Sequence, residues 1–195
     1  MLIASDLKKF GKLDRALTDP LREELKKINF FSEKYNRGEV ALADGKLVEF
    51  PFVVQAYPET RKESLQLIEL SQPIVDYIQN MFPDHVFMRG EISIMLPGII
   101  IKPHIDRKWF HANSHRMHVP IITNDFCKHY FQNRSQHMEE DMLYELNNRI
   151  VHSAVNAGSE TRTHLIFELM QKDRLARARE QKIEFNRLEP GNVLT

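Results

Sequence analysis

Val86-Phe87-Met88-Arg89-Gly90-Glu91-Ile92-Ser93-Ile94-Met95, then Leu96-Pro97-Gly98, then Ile99-Ile100-Ile101-Lys102. Two apolar segments of strand length, parted by a Pro-Gly turn, set the texture of the middle of the chain. The same texture continues downstream. Residues 117–123, 129–133, 137–146 and 163–170 are short, rich in Ile, Val, Phe, Met and Thr, and separated by polar or Pro/Gly stretches. Half a dozen closely spaced strands imply an antiparallel sandwich or barrel.

Upstream the period changes. Across residues 59–82 the apolar side chains of Leu65, Ile68, Leu70, Ile74, Val75, Ile78 and Met81 fall near one face of a helix, with Pro73 predicting a break or kink partway. Past the strands, about 171–185, charges of both signs alternate with little apolar face, which predicts a surface helix. Its Arg174, Arg177 and Arg179 suit a solvated face better than an acidic partner, because acids are interspersed among them. The nine prolines and seven glycines are scattered, and no repeat or linker divides the chain. The expectation is a single domain over 1–195: an N-terminal extension and helix (1–85), a β core (about 86–170) and a C-terminal helical extension (171–195). The fold class is α+β, mainly β, with a double-stranded β-helix or jelly roll as the core.

Composition narrows the function. With 27 basic and 27 acidic residues the formal net charge is zero, so no global field argues for nucleic acid or an anionic membrane. The longest apolar runs are strand-sized, far short of a membrane span. No basic segment followed by an apolar stretch opens the chain, and the cytoplasm is the expected location. Cys127 is the only cysteine, so an intrachain disulfide is ruled out. Between Phe126 and Lys128 it reads as a half-buried strand residue rather than a nucleophile.

Nine histidines without paired cysteines raise the question of a metal, since neutral imidazole suits Fe, Zn, Cu and Ni. In Pro103-His104-Ile105-Asp106, residues two apart on a strand project to one face, so an imidazole and a carboxylate can share an ion. His152, in Ile150-Val151-His152-Ser153-Ala154, would close the site from a distant strand. Two histidines and one carboxylate on one face of an octahedral ion leave three positions open, the arrangement of non-haem Fe(II) oxygenases. Taken singly, His104 also reads as a turn histidine beside Pro103, and His152 as a hydrogen-bonded core histidine. Arg162, just ahead of Thr163-His164-Leu165-Ile166-Phe167, adds a planar fork of donors able to hold the far carboxylate of a chelating dicarboxylate. Arg116 and His118, again two apart, offer a second anion contact.

This ordered series, Ser93 in Ile92-Ser93-Ile94-Met95-Leu96-Pro97-Gly98, Pro103-His104-Ile105-Asp106, Arg116-x-His118, His152-Ser153-Ala154-Val155-Asn156, and Arg162 before an apolar strand, resembles the aspartyl/asparaginyl β-hydroxylase-like branch of the 2-oxoglutarate dioxygenases. It is also similar to bacterial proline cis-hydroxylases, and the likeness runs from about Ile92 to Leu169. The resemblance implies Fe(II) held by His104, Asp106 and His152. It implies 2-oxoglutarate contacted by Arg162, Arg116, His118 and Ser93, with O₂ as the oxidant. The expected activity is hydroxylation of a free amino acid, or of an amino-acid side chain in a protein, with release of succinate and CO₂. Some relatives acting on protein side chains lack the carboxylate ligand, so Asp106 leans toward the small-molecule relatives. The family's Gly-containing turn is replaced by His137-Met138-Glu139-Glu140-Asp141-Met142-Leu143-Tyr144, which leaves that strand's register unassigned. Trp109, Arg107 and Asn156 are candidate substrate-pocket residues, though Trp109 and Phe110 would equally serve as hydrophobic anchors for the loop. His115, His129, His137 and His164 are assigned to surface or ordinary core positions. The competing reading is a non-oxygenase β-barrel holding Zn or Ni, in which Arg162 would have nothing to bind.

Overall fold

The computed structural model describes residues 5–28, 39–42, 61–132 and 134–185. Strand β1 (Leu7–Lys12) leads into helix α1 (Arg15–Lys26), and β2 (Glu39–Leu42) is followed by the long helix α2 (Arg61–Met81). Then come β3 (His85–Met95), β4 (Ile100–His104), the short helix α3 (Trp109–Asn113), β5 (His115–Ile122), β6 (Cys127–Phe131), β7 (Arg134–Gln136), β8 (Met142–Leu146), β9 (His152–Asn156), β10 (Arg162–Gln171) and helix α4 (Lys172–Glu180). The strands form two antiparallel sheets, a six-stranded one in the order β1-β8-β5-β10-β3-β2 and a four-stranded one in the order β4-β9-β6-β7. The α+β, mainly β class and the double-stranded β-helix core are those expected.

Period-two alternation decides what each face of the large sheet does. Ile92 and Ile94, then Met117, Val119 and Ile121, then Leu165, Phe167 and Leu169 share one buried cluster with Leu21 and Leu25 of α1 and Leu67, Ile74, Val75 and Ile78 of α2. Each fully buried Leu or Ile contributes about 1.5–3 kcal/mol, so this helix-covered face is the main stabilising layer. The intervening residues, Ser93, Arg116, His118, Arg162, His164 and Glu168, are the polar side chains of the opposite face, which the small sheet covers.

Several expectations need correction. Helix α2 runs unbroken through Pro73, because burial of Ile74, Val75 and Ile78 beyond it outweighs the one lost backbone donor; residues 59 and 60 of the expected helix lie outside the described residues. Residues 137–146 are not one strand. Asp141 sits at φ 63°, in left-handed backbone that ends β-pairing. Its buried carboxylate accepts from Thr18 Oγ1 at 2.7 Å, from Arg15 Nε at 3.3 Å and from Arg22 of α1. Only β8 remains as strand, and β1 pairs with it at the sheet edge. Helix α4 is not purely a surface helix: Leu175 and Ala178 pack with Met88, Trp109, Phe110 and Met170. Gly98, at φ 79°, makes the turn between β3 and β4, where its N–H donates to the Asn156 carbonyl at 2.8 Å. Among the described residues no helix is long and apolar enough to cross a membrane.

Candidate active site

Antiparallel pairing of β4 with β9 sets His104 directly opposite His152, which brings the two rings to 4.3 Å between centroids. Asp106 follows β4 by two residues, and its N–H is anchored on the Asn148 carbonyl at 3.0 Å. Its Oδ1 lies 3.6 Å from His104 Nε2, and one ligand atom from each of His104, Asp106 and His152 falls within 4.8 Å of the others. The three candidate ligands are therefore brought together.

The chemistry of this donor set fits a divalent metal. His104 Nδ1 donates to the Lys102 carbonyl at 2.8 Å and His152 Nδ1 to the Ile150 carbonyl at 2.9 Å. A proton committed to Nδ1 leaves the Nε2 lone pair for an ion, the usual device for orienting metal-binding imidazoles. Burial holds the His152 imidazole below its ordinary value, in the neutral form, with its bond to Ile150 opposing only in part. For Asp106, burial by itself pushes the carboxyl up, but the Arg116 guanidinium outweighs it and holds the carboxyl down at about 2. The acid is thus anionic across the physiological range.

Beside His104 and His152 lies a cavity of about 80 Å³ that both of them line, with Ser93, Arg116, His118, His129 and Arg162 among its other walls. Its mouth is open at His104, whose side chain is 42% exposed. The far end is closed by Arg162, which is 2% exposed and donates through Nη2 to His164 Nδ1 at 2.7 Å and to His129 Nε2 at 3.2 Å. Burial first, and the Arg162 charge with it, keep His129 and His164 neutral, well below the ordinary histidine value; His118, also beside Arg116, behaves alike.

Of the candidates for the anion, Ser93, His118 and Arg162 line the cavity. Arg116 lines it too, but arrives already paired: Nη1 donates to Glu168 at 2.6 Å, Nη2 to Glu91 at 3.0 Å, and Nε lies 3.5 Å from Asp106 Oδ2. Burial alone would lower its affinity for the proton, yet these carboxylates raise it. The suggested substrate-pocket residues lie elsewhere. Trp109 is buried in the α3–α4 cluster and stacks edge-on against Phe185, so it is an anchor for the loop. The Asn156 amide donates to the Met95 and Glu160 carbonyls and its oxygen accepts from Cys127 Sγ and Gly158 N–H, which makes it a strut between chain segments. Arg107 is exposed and does not line the cavity. Cys127 is buried on β6, as a structural thiol should be.

Sequence reasoning missed Glu91, Glu168, His111, His129 and His164. The signal for Glu168 was present: a carboxylate within Ile166-Phe167-Glu168-Leu169-Met170 must be paired if that strand is buried. Ser114 Oγ donates to it at 2.6 Å and His111 Nδ1 lies at 3.0 Å. For His129 there was no local signal, because what matters is the strand facing it.

A two-sheet β-helix carrying two imidazoles and a carboxylate at its mouth, and an arginine at its closed end, has the form of a 2-oxoglutarate-dependent dioxygenase. Three solved structures share the fold. A prolyl hydroxylase from Trichoplax adhaerens, in complex with a hypoxia inducible factor oxygen degradation domain peptide fragment, superposes with a TM-score of 0.53 at 13% identity over 90% of this chain and 88% of that one. A viral collagen prolyl hydroxylase from Paramecium bursaria Chlorella virus-1 gives 0.52 at 10% identity, over 85% and 96%. AviO1 from Streptomyces viridochromogenes gives 0.52 at 12% identity, over 86% and 90%. At such identities the likeness is one of fold. No curated protein sequence matches the chain. Residues 22–172, however, match the profile of the family described as Aspartyl/Asparaginyl beta-hydroxylase. The chain belongs to the Aspartyl/Asparaginyl beta-hydroxylase family, and is a dioxygenase of the hydroxylase kind.

Proposed function

We propose that the protein hydroxylates an amino acid, or an amino-acid side chain in a protein, in the cytoplasm, with His104, Asp106 and His152 holding Fe(II). The balance is one C–H bond, O₂ and 2-oxoglutarate consumed, and one C–OH bond, succinate and CO₂ formed. Bound iron supplies the activation of dioxygen. The chain's own contribution is placement. Arg162 takes the distal carboxylate of 2-oxoglutarate at the closed end, with Ser93 and His118 on the cavity wall beside it, so that the keto-acid end faces the metal ligands. Arg116 and Asn148 hold Asp106 in place, the latter through Nδ2 at 3.3 Å from Oδ2.

The observation that carries this reading is that the converging donor set and the buried guanidinium bracket a single cavity. A Zn or Ni barrel without oxygenase activity would account for the first and leave Arg162 with no co-substrate to bind. The open mouth at His104 favours a substrate that presents a side chain from outside. Anaerobic addition of Fe(II) and 2-oxoglutarate should produce the weak visible charge-transfer band of an iron-chelated keto acid. A panel of amino acids and peptides, scored for succinate formation coupled to a mass gain of one oxygen, then finds the substrate. No band with the wild-type protein would sink the proposal.

A further inference from the structure

We infer that His129 and His164 select a keto acid bearing a second carboxylate, by accepting hydrogen bonds from Arg162 and so fixing its guanidinium at the closed end of the cavity. The inference deepens the proposed function, since it rests on Arg162 as the anchor of the co-substrate.

A guanidinium has donors and no acceptor. Its Nη2 lies 2.7 Å from His164 Nδ1 and 3.2 Å from His129 Nε2, so both ring nitrogens must accept. That assigns the tautomers: His164 carries its proton on Nε2, His129 on Nδ1. Both of those opposite nitrogens are buried without a hydrogen-bond partner among the described residues. Leaving buried donors unmade is costly, so the rings are not here to satisfy themselves. They are spent on Arg162. The two rings stack at 5.5 Å with 23° between their planes, one from each sheet: His164 from β10, two residues from Arg162 on the same face, and His129 from β6 across the cavity. A neutral imidazole holds a guanidinium without adding negative charge. Arg116 makes the contrast, because its partners Glu91, Glu168 and Asp106 are carboxylates. The two imidazole contacts hold Arg162 in place without themselves reducing its attraction for an anion.

The same rings, with His118, offer three nitrogens within 4.8 Å of one another, the spacing of a second metal centre. A cation there would sit against the guanidinium that already uses a lone pair of two of the rings, which disfavours it.

The test uses the full chain with Fe(II) under anaerobic conditions and compares dissociation constants for 2-oxoglutarate and for the monocarboxylate 2-oxobutyrate. His164→Asn keeps an acceptor where Nδ1 stands and His129→Gln one where Nε2 stands, whereas His164→Leu and His129→Leu remove it. Each leucine variant should bind 2-oxoglutarate about tenfold or more weakly, the loss expected for a hydrogen bond to a charged group. Binding of 2-oxobutyrate and of Fe(II) should hold within about twofold, and the acceptor-keeping variants should stay near wild type. The exchanged amides, His164→Gln and His129→Asn, keep polarity and misplace the acceptor; they should lose affinity, and they serve if a leucine variant does not fold. Wild-type affinity for 2-oxoglutarate in the leucine or exchanged variants, equal losses for both keto acids, or two Zn(II) ions bound per chain would each overturn the inference. If Arg162→Ala itself binds 2-oxoglutarate normally, the co-substrate reading beneath it falls; if Arg162→Ala loses affinity and the histidine variants do not, only the role of the imidazoles falls.

Discussion

His104 and His152 share an orientation but not an environment: one side chain is 42% exposed at the cavity mouth, the other is buried, and each commits Nδ1 to a carbonyl two residues back. Because each proposed ligand is fixed without an ion, losing any one should cost the proposed site directly. His152→Ala should abolish Fe(II) binding in an anaerobic titration, and retention of stoichiometric binding would remove it from the ligand set. Support beyond the ligands counts too. Asn148→Ala deletes the amide at 3.3 Å from Asp106 Oδ2 while leaving the backbone contact, and should weaken Fe(II) affinity roughly tenfold or more, as outer partners of ligands usually do. Arg162→Ala should cost 2-oxoglutarate binding about 1.5–3 kcal/mol, read as a raised KM for the keto acid with Fe(II) affinity held. At this scale the spacing was legible in His104-x-Asp106, whose side chains meet, whereas Arg116, read as a second anion contact beside His118, is paired with Glu91, Glu168 and Asp106. The sequence was mute about His129 and His164, whose meaning comes from rings on two different sheets meeting one guanidinium.

Strand β10 shows how an element converts alternation into function. Leu165, Phe167 and Leu169 face the helices, while Arg162, His164 and Glu168 face the small sheet, so one strand carries core and site together. Such strands announce themselves through apolar content, and β3, β5 and β10 were placed within two residues of their observed ends. The elements that escaped were those whose stability comes from elsewhere. Strand β1, Leu-Lys-Lys-Phe-Gly-Lys, has little apolar character and exists because β8 offers it an edge. Helix α1 is capped by Asp14, whose side chain accepts from Ala16 N–H at 2.9 Å, and is pinned to the sheet through Asp141. That pin is testable. Asp141→Ala would strip buried Arg22 of its one fully buried carboxylate and leave it only half-exposed Asp19; breaking a buried pair outright typically costs about 3–5 kcal/mol, and the partner that remains puts the expectation at the lower end, about 3. Urea unfolding should register a loss of that order with little change in slope; a loss under about 1 kcal/mol would mean the contact is ornamental.

For the molecule as a whole, burying so many titratable groups ties stability to pH in a definite direction. His118, His129 and His164 are held well below the ordinary histidine value by burial, and His85 and His152 below it, whereas in the unfolded chain all five would titrate near about 6.5. As pH falls through that value the unfolded chain takes up protons that the folded one refuses, so folding free energy is full above about 7 and declines below it. Each proton contributes a slope of about 1.4 kcal/mol per pH unit, and the three most deeply buried rings together about 4. Glu168 and Asp141, held below their ordinary values, and Asp106, at about 2, extend the loss in the same direction: their ionised forms stabilise the fold above the unfolded carboxyl values, and that contribution disappears as pH drops through the folded ones. Chemical denaturation of the metal-free protein at intervals from pH 8 to pH 5 should therefore show a plateau and then a steepening fall below neutrality. His129→Gln, which keeps the acceptor for Arg162 and removes the titrating ring, should shallow that fall by about one proton's worth of slope. A stability that stays level or rises between pH 7 and pH 5 would show that the buried imidazoles accept protons where they sit, and with a charged ring beside it the guanidinium of Arg162 could no longer be held as described.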